Sequence, residues 1–190
     1  MKTLILSVLF FSVHAQAVTF EADKGHTKVG FEIEHNAITT IDGEFSDYDF
    51  SYSFDNGAIS NIVFTAKVDS INTGHPKRDE HLKGDDFFNV KKFPEIKFVS
   101  SKVEGSMNDT YKVKGRLTIK DMTKDFTFTA KCKGPIEDLF GGTKMGCKLS
   151  GSLDRYDYNL KWNKPLNKIK GLLVGKEVTL AIKVEATQKK

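Results

Sequence analysis

An all-β fold is predicted here, an antiparallel barrel of eight or nine strands with one short helical crossover near residues 70–94. Three observations predict it. Apolar and polar residues alternate with period two through most of the chain, which is the signature of half-buried strands. The alternating runs are short and separated by polar or glycine-containing turns, as in a sandwich or a barrel. The charges Lys28, Glu32, Glu34, Lys131, Lys133, Lys183 and Glu185 share the polar face. Those groups belong in water, so the apolar face is the interior, the reverse of an outer-membrane barrel. Full closure is the arrangement that removes sheet edges. Eight strands leave room for a filled core or one slender ligand.

Before the first strand, residues 1–17 read as a secretory signal peptide. Lys2 precedes an apolar run from Leu4 to Val13, and Ala15-Gln16-Ala17 supplies small residues for cleavage. The run is too short to span a bilayer. Residues 18–190 are then a single exported domain, expected in the periplasm with no integral membrane segment. The net charge of +4 is mild and no arginine-rich stripe accompanies it, so no nucleic-acid partner is expected. The 15 phenylalanines are numerous enough to fill or line an interior.

The elements follow in order. Val18–Ala22 is a short first strand. Between His26 and His35, Val29, Phe31, Ile33 and His35 fall on one face. From Gly43 to Asp55, Tyr48, Phe50, Tyr52 and Phe54 share a face. Phe45 has the opposite parity, so a bulge near Ser46 is required if it also points inward. Asp55-Asn56-Gly57 is a hairpin turn. Its partner strand turns Ile62, Phe64, Ala66 and Val68 inward. After the crossover, Glu95–Val103 carries Ile96 and Phe98 inward. The next strand brings Tyr111, Val113, Gly115, Leu117 and Ile119 to one face, and the one after it Phe126, Phe128, Ala130 and Cys132. Gly134–Gly142 reads as a longer loop. Met145, Cys147, Leu149, Gly151 and Leu153 share a parity. An irregular stretch from Asp154 to Gly175 leads to a last strand with Val178, Leu180, Ile182 and Val184 inward. The final residues read as a frayed tail.

The crossover, Asp69–Pro94, breaks the alternation. It carries Arg78, His81, Asp85 and Asp86 beside Leu82, Phe87, Phe88 and Phe93, a composition suited to covering a barrel mouth. Arg78 and His81, three apart, project on one side of a helical turn. Either they meet a polar or anionic head group, or they belong to an exposed helix with Arg78 paired to an acid such as Asp85. Asp85 or Asp86 also reads as a cap for the turn that carries the phenylalanines.

Cys132 and Cys147 have inward parity in adjacent antiparallel strands and flank the 134–142 loop almost symmetrically. That places them within disulfide reach, and export permits a bridge. Two small apolar core residues are the alternative. His26, His35, His75 and His81 lack metal-site spacing, so no metal or cofactor is expected. No G-x-S-x-G elbow marks a nucleophile.

These residues together resemble a known family. His26-x-x-Val-x-Phe-x-Ile-x-His35, Gly43-x-Phe45, Arg78-Asp-x-His-Leu82, Asp86-Phe-Phe88 and Phe93-Pro94-x-Ile96-x-Phe98 are similar to the YceI-like family. So are Asp138-x-x-Gly141, Asp154-Arg155-x-Asp157, Trp162 and Val174-Gly175-x-x-Val178. The resemblance covers essentially all of residues 18–190. It implies an exported lipocalin-like barrel that holds a long isoprenoid or fatty-acyl chain, often as a homodimer, with no catalytic constellation. From periodicity alone the inward residues Phe31, Ile33, Phe50, Phe64, Phe98, Leu117, Phe126, Phe128, Leu180 and Ile182 form a packed core. The resemblance instead makes them, with His35, Phe45, Phe87, Phe88 and Trp162, candidates to line a lipid site. Arg78, His81 and Asp86 are the head-group candidates. The expected function is carriage, storage or sequestration of a long-chain lipid. The rivals are an enzyme acting on a lipid in the same cavity and a filled barrel that acts through its outer surface.

Overall fold

The computed structural model describes residues 17–107, 109–165 and 172–189; the signal peptide expected over residues 1–17 lies outside them except for Ala17. Period-two sequence becomes eleven strand segments. The first five are β1 (Val18–Ala22), β2 (Lys28–His35), β3 (Thr39–Phe45), β4 (Tyr48–Asp55) and β5 (Ala58–Lys67). A 3-10 turn at Val68–Ser70 then leads to β6 (Ile71–Asn72) and helix α1 (Pro76–Lys83). The remainder are β7 (Glu95–Glu104), β8 (Tyr111–Ile119), β9 (Met122–Glu137), β10 (Thr143–Asp154) and β11 (Val174–Gln188), with a second 3-10 turn at Arg155–Tyr158.

Pairing runs β1-β4-β5-β7-β8-β9-β10-β11, and β11 returns to β1, so eight strands close an antiparallel barrel. The other three segments continue staves of that ring past bends. β1 and β2 lie end to end along β11, which pairs Ala186–Gln188 with the first and residues 174–183 with the second. β3 and β4 likewise pair with β2 and β1, and β6 extends the stave begun by β5.

One bend has a clear cause in the sequence. Phe45 and Tyr48 are both buried although three residues apart, and strict alternation would send one outward. The chain breaks at Ser46-Asp47, where the Ser46 amide donates to the Ser70 carbonyl. The run expected from Gly43 to Asp55 is therefore two segments, and the first begins earlier, at Thr39. The Asn56-Gly57 turn forms with positive φ at both residues, as a two-residue hairpin of matching twist requires.

Two expectations change. The loop read at Gly134–Gly142 is mostly strand: β9 reaches Glu137 and the turn is confined to residues 138–142. Asp138 closes it by accepting from the amides of Phe140 and Gly142 at 2.9 and 2.8 Å. Composition suggested a loop because Gly and Pro punctuate strands, but one carboxylate takes up the turn's amides. The tail expected to fray is tied down as far as Lys189; Lys190 lies outside the described residues. Phe20 pairs with Gln188, and the Lys189 amide donates to the Thr19 carbonyl at 2.8 Å. Terminal residues tied into a sheet stay ordered, and here they complete the barrel.

Candidate functional site

Among the described residues, cavities of about 130, 50 and 10 Å³ follow one another through the interior from the crossover end downward. The upper cavity lies beneath the crossover. α1 begins at Pro76, whose fixed φ suits a first helical position, and the His75 side chain caps it by accepting from the Arg78 amide at 3.3 Å. No residue of this helix is fully buried. The segment after it supplies the cover: Phe87 is buried and Phe88 packs edge-on to Phe45 at 6.3 Å.

Carbon forms the wall of the upper cavity. Phe31, Ile33, Phe45, Phe87, Phe88 and Leu180, all expected, line it, and so do Ile41, Leu82, Leu153, Leu160, Val174 and Val178. Arg78 and Arg155 contribute their aliphatic stems while their guanidiniums bond elsewhere. Arg78 donates to the hydroxyl and carbonyl of Thr73, both at 2.7 Å. The acid it approaches through that hydroxyl is Asp79, which accepts from Thr73, rather than Asp85. Arg155 is 2 % exposed. It donates to the carbonyls of Gly175, Leu160 and Val174 and lies over the Tyr156 ring. Desolvation lowers its pKa. Its role is to tie the turn at Arg155–Tyr158 to the start of β11.

Phe31, Phe45, Ile96, Ile119 and Leu180 border both the upper and the middle cavity. Phe64, Leu117, Phe128 and Ile182 line the middle one, and Phe50 lines the lowest. Phe98 and Phe126 line none of the three. They pack edge-on against Phe128 at 5.1 and 4.7 Å and form an aromatic layer across mid-barrel. Glycines seat this layer. A Cβ on Gly115 would lie 2.6 Å from the Phe98 ring, and one on Gly151 would lie 2.7 Å from the Phe126 ring. Phe31 rests on Gly43 in the same way.

Other expected residues stand apart. His35 sits at the end of β2 between Thr39 and Val174, outside all three cavities. Trp162 packs outside Phe87 at 5.3 Å and against His81 at 5.0 Å. His81 faces Asp86 at 3.3 Å, and both are accessible from outside. The three head-group candidates thus divide, with Arg78 beside the cavity and the His81–Asp86 pair on the outer face of the cover.

At the other end, Cys132 and Cys147 stand directly opposite each other and form a disulfide with Cα atoms 4.1 Å apart. Nearby, the buried Tyr52 hydroxyl has no hydrogen-bond partner among the described residues, and desolvation raises its pKa. Asp23, His26 and Glu185 bring potential ligand atoms within 4.8 Å of one another. The Lys144 ammonium already meets Asp23 at 3.3 Å and Glu185 at 2.8 Å, so a cation is present in that cluster.

A family profile described as the YceI-like domain matches residues 20–186. A UPF0312 protein of Enterobacter sp. (strain 638) is 34% identical over 188 residues, covering 97% of this chain and 94% of that protein. The crystal structure of a Campylobacter jejuni YCEI protein superposes with a TM-score of 0.72 at 28% identity, covering 100% of both chains. A polyisoprenoid binding domain from Saccharophagus degradans shares the fold, with a TM-score of 0.64 at 10% identity over 92% of this chain and 100% of that one.

Proposed function

The chain belongs to the YceI-like family, and from that premise we propose that it binds a long-chain isoprenoid or fatty-acyl amphiphile inside the barrel. It does so after export to the periplasm, for transport, storage or sequestration, and without chemistry. The observation that carries this reading is the carbon-walled cavity beneath the crossover, which shares wall side chains with a second cavity below it. Such a space has no hydrogen bonds to offer and suits a hydrocarbon tail, each buried CH₂ contributing about 0.8 kcal/mol. The head would rest at the crossover, near Arg78 and the His81–Asp86 pair. The neighbouring polyisoprenoid binding domain supports the ligand class by its fold.

Loading a long tail requires side chains to move, since the upper cavity is only about 130 Å³. Phe31, Phe45 and Leu180, which separate the upper two cavities, are the groups that must turn. The mid-barrel aromatic layer favours a second reading, a filled barrel that acts through its surface. Native mass spectrometry of the protein purified from periplasm, followed by organic extraction, separates the two. A stoichiometric long-chain lipid released on denaturation is the expected result. An apo mass unchanged after incubation with prenyl and acyl lipids would leave the filled barrel.

A further inference from the structure

We propose that the β9–β10 hairpin docks the barrel onto an anionic phospholipid bilayer. Leu139 and Phe140 sit at its tip with 99% and 95% of their surfaces in water, and Ile136 adds 63%. Single exposed apolar residues are ordinary, but adjacent ones at a protruding tip mark an interaction surface. The tip is pre-formed. Asp138 holds the turn through two amides, Gly141 takes the positive φ it needs, and the Cys132–Cys147 disulfide joins the two strands below. A wedge fixed in advance loses little conformational freedom on insertion.

Charge identifies the partner. Below the tip, a groove of about 820 Å³ on the outer wall is lined by four lysines, Lys131, Lys133, Lys148 and Lys183, against two acids, Asp109 and Glu185, the second of which is engaged by Lys144. Lys148 stands directly opposite both Lys131 and Lys183. Like charges in register destabilise a sheet. None of the four has a carboxylate within ion-pair distance among the described residues, whereas Lys28, next in the row, pairs with Glu44 at 3.1 Å. Gly146 stands in register between Lys133 and Glu185, and a Cβ there would meet only the Val184 carbonyl oxygen, at 4.0 Å. An apolar wedge with uncompensated lysines beside it matches the apolar interior and anionic head groups of a membrane.

The geometry also sets the orientation. The lysines lie about seven residues from the tip, roughly 20 Å along a strand. That exceeds the Debye length of about 8 Å at physiological salt. Both features engage only if the β9–β11 wall, rather than the end of the barrel, leans on the surface. This inference does not rest on the cargo reading, because a filled barrel would dock in the same way.

Vesicle flotation of the full chain tests it, using phosphatidylglycerol–phosphatidylcholine vesicles against pure phosphatidylcholine. Binding to the anionic vesicles that weakens with salt is expected. The pair Leu139→Ser/Phe140→Ser should cut affinity roughly tenfold, and each of Lys131→Gln, Lys148→Gln and Lys183→Gln about fivefold. Glu137→Gln, which removes the exposed acid at the tip, should strengthen it. These side chains are exposed, so folding is unaffected, and native mass spectrometry on the same variants reports cargo separately. Wild-type protein that fails to float, or a tip variant that floats equally well, overturns the proposal. So does a wild-type dimer that the tip variant dissociates without any vesicle binding, which would make the tip a contact between two copies.

Discussion

The two ends of this barrel are built from the same alternating sequence and packed in different ways. At the crossover end β6 continues the stave begun by β5 past the bend at Val68–Ser70. The largest interior cavity lies there, under a cover whose helix buries no residue completely. From mid-barrel to the other end, Phe98, Phe126 and Phe128 interlock over glycine seats, and a disulfide joins β9 to β10. Close packing supports stability and a yielding mouth supports exchange. Binary patterning is the same in both halves, and both seat a ring on glycine; what separates them is that Phe98 and Phe126 pack edge-on against Phe128 while Phe31 borders the cavity.

The strongest way to break this contrast is to hollow out the aromatic layer. Phe98→Ala should destabilise the protein by about 3–5 kcal/mol, the range for a fully buried phenylalanine. Chemical denaturation would measure it. Phe88→Ala at the mouth removes a partly buried ring and should cost nearer 1 kcal/mol, while changing the amount of lipid that co-purifies. Equal losses at the two sites would mean that the ends do not differ in packing.

Next comes the covalent tie. The disulfide spans a sequence separation of 15 residues, for which the chain-entropy account gives about 3 kcal/mol. The variant Cys132→Ala/Cys147→Ala should lose about that amount and show no further loss with reductant. A variant as stable as the parent would show that the aromatic layer alone holds this end.

How much of this was legible follows from what each feature depends on. Alternation placed the inward residues of β8 and β9 correctly, because a ladder's side chains need no distant partner to choose a face. The opposed cysteines followed from the same parity. The break at Ser46-Asp47 was visible as a clash of parity at Phe45. The pairing of Gln188 with Phe20 was not, since closure is a contact between the two ends of the domain. The aromatic layer was missed for a related reason. Phe98 and Phe126 have the same inward parity as Phe64 and Phe128, and parity does not show that glycines on the neighbouring strands, Gly115 and Gly151, let these two rings settle against Phe128. Arg155 stood inside a quoted motif, yet its burial depends on carbonyls in the turn it begins and at the start of β11.

The smallest expected effect comes from the charge cluster where β1 bends into β2. Asp23 accepts from His26 at 3.0 Å, from the Gly25 amide at 2.9 Å and from Lys144 at 3.3 Å. The His26 contact leads in holding its carboxyl below the usual value of 3.8, and the Gly25 amide and Lys144 add to it, against a desolvation that works the other way. Because the folded state lowers this pKa, the carboxylate's contribution is fully present above the ordinary carboxylate range. It is lost as pH falls through the folded value, below 3.8. Stability followed from pH 6 downward should therefore decline less steeply in that acid window for Asp23→Asn than for the parent. The difference should be well under the loss from Phe98→Ala, since the site is open to solvent and salt. Parallel acid profiles for the two proteins would mean that Glu185 and Asp138 suffice to hold Lys144 and that Asp23 contributes nothing to closing the bend.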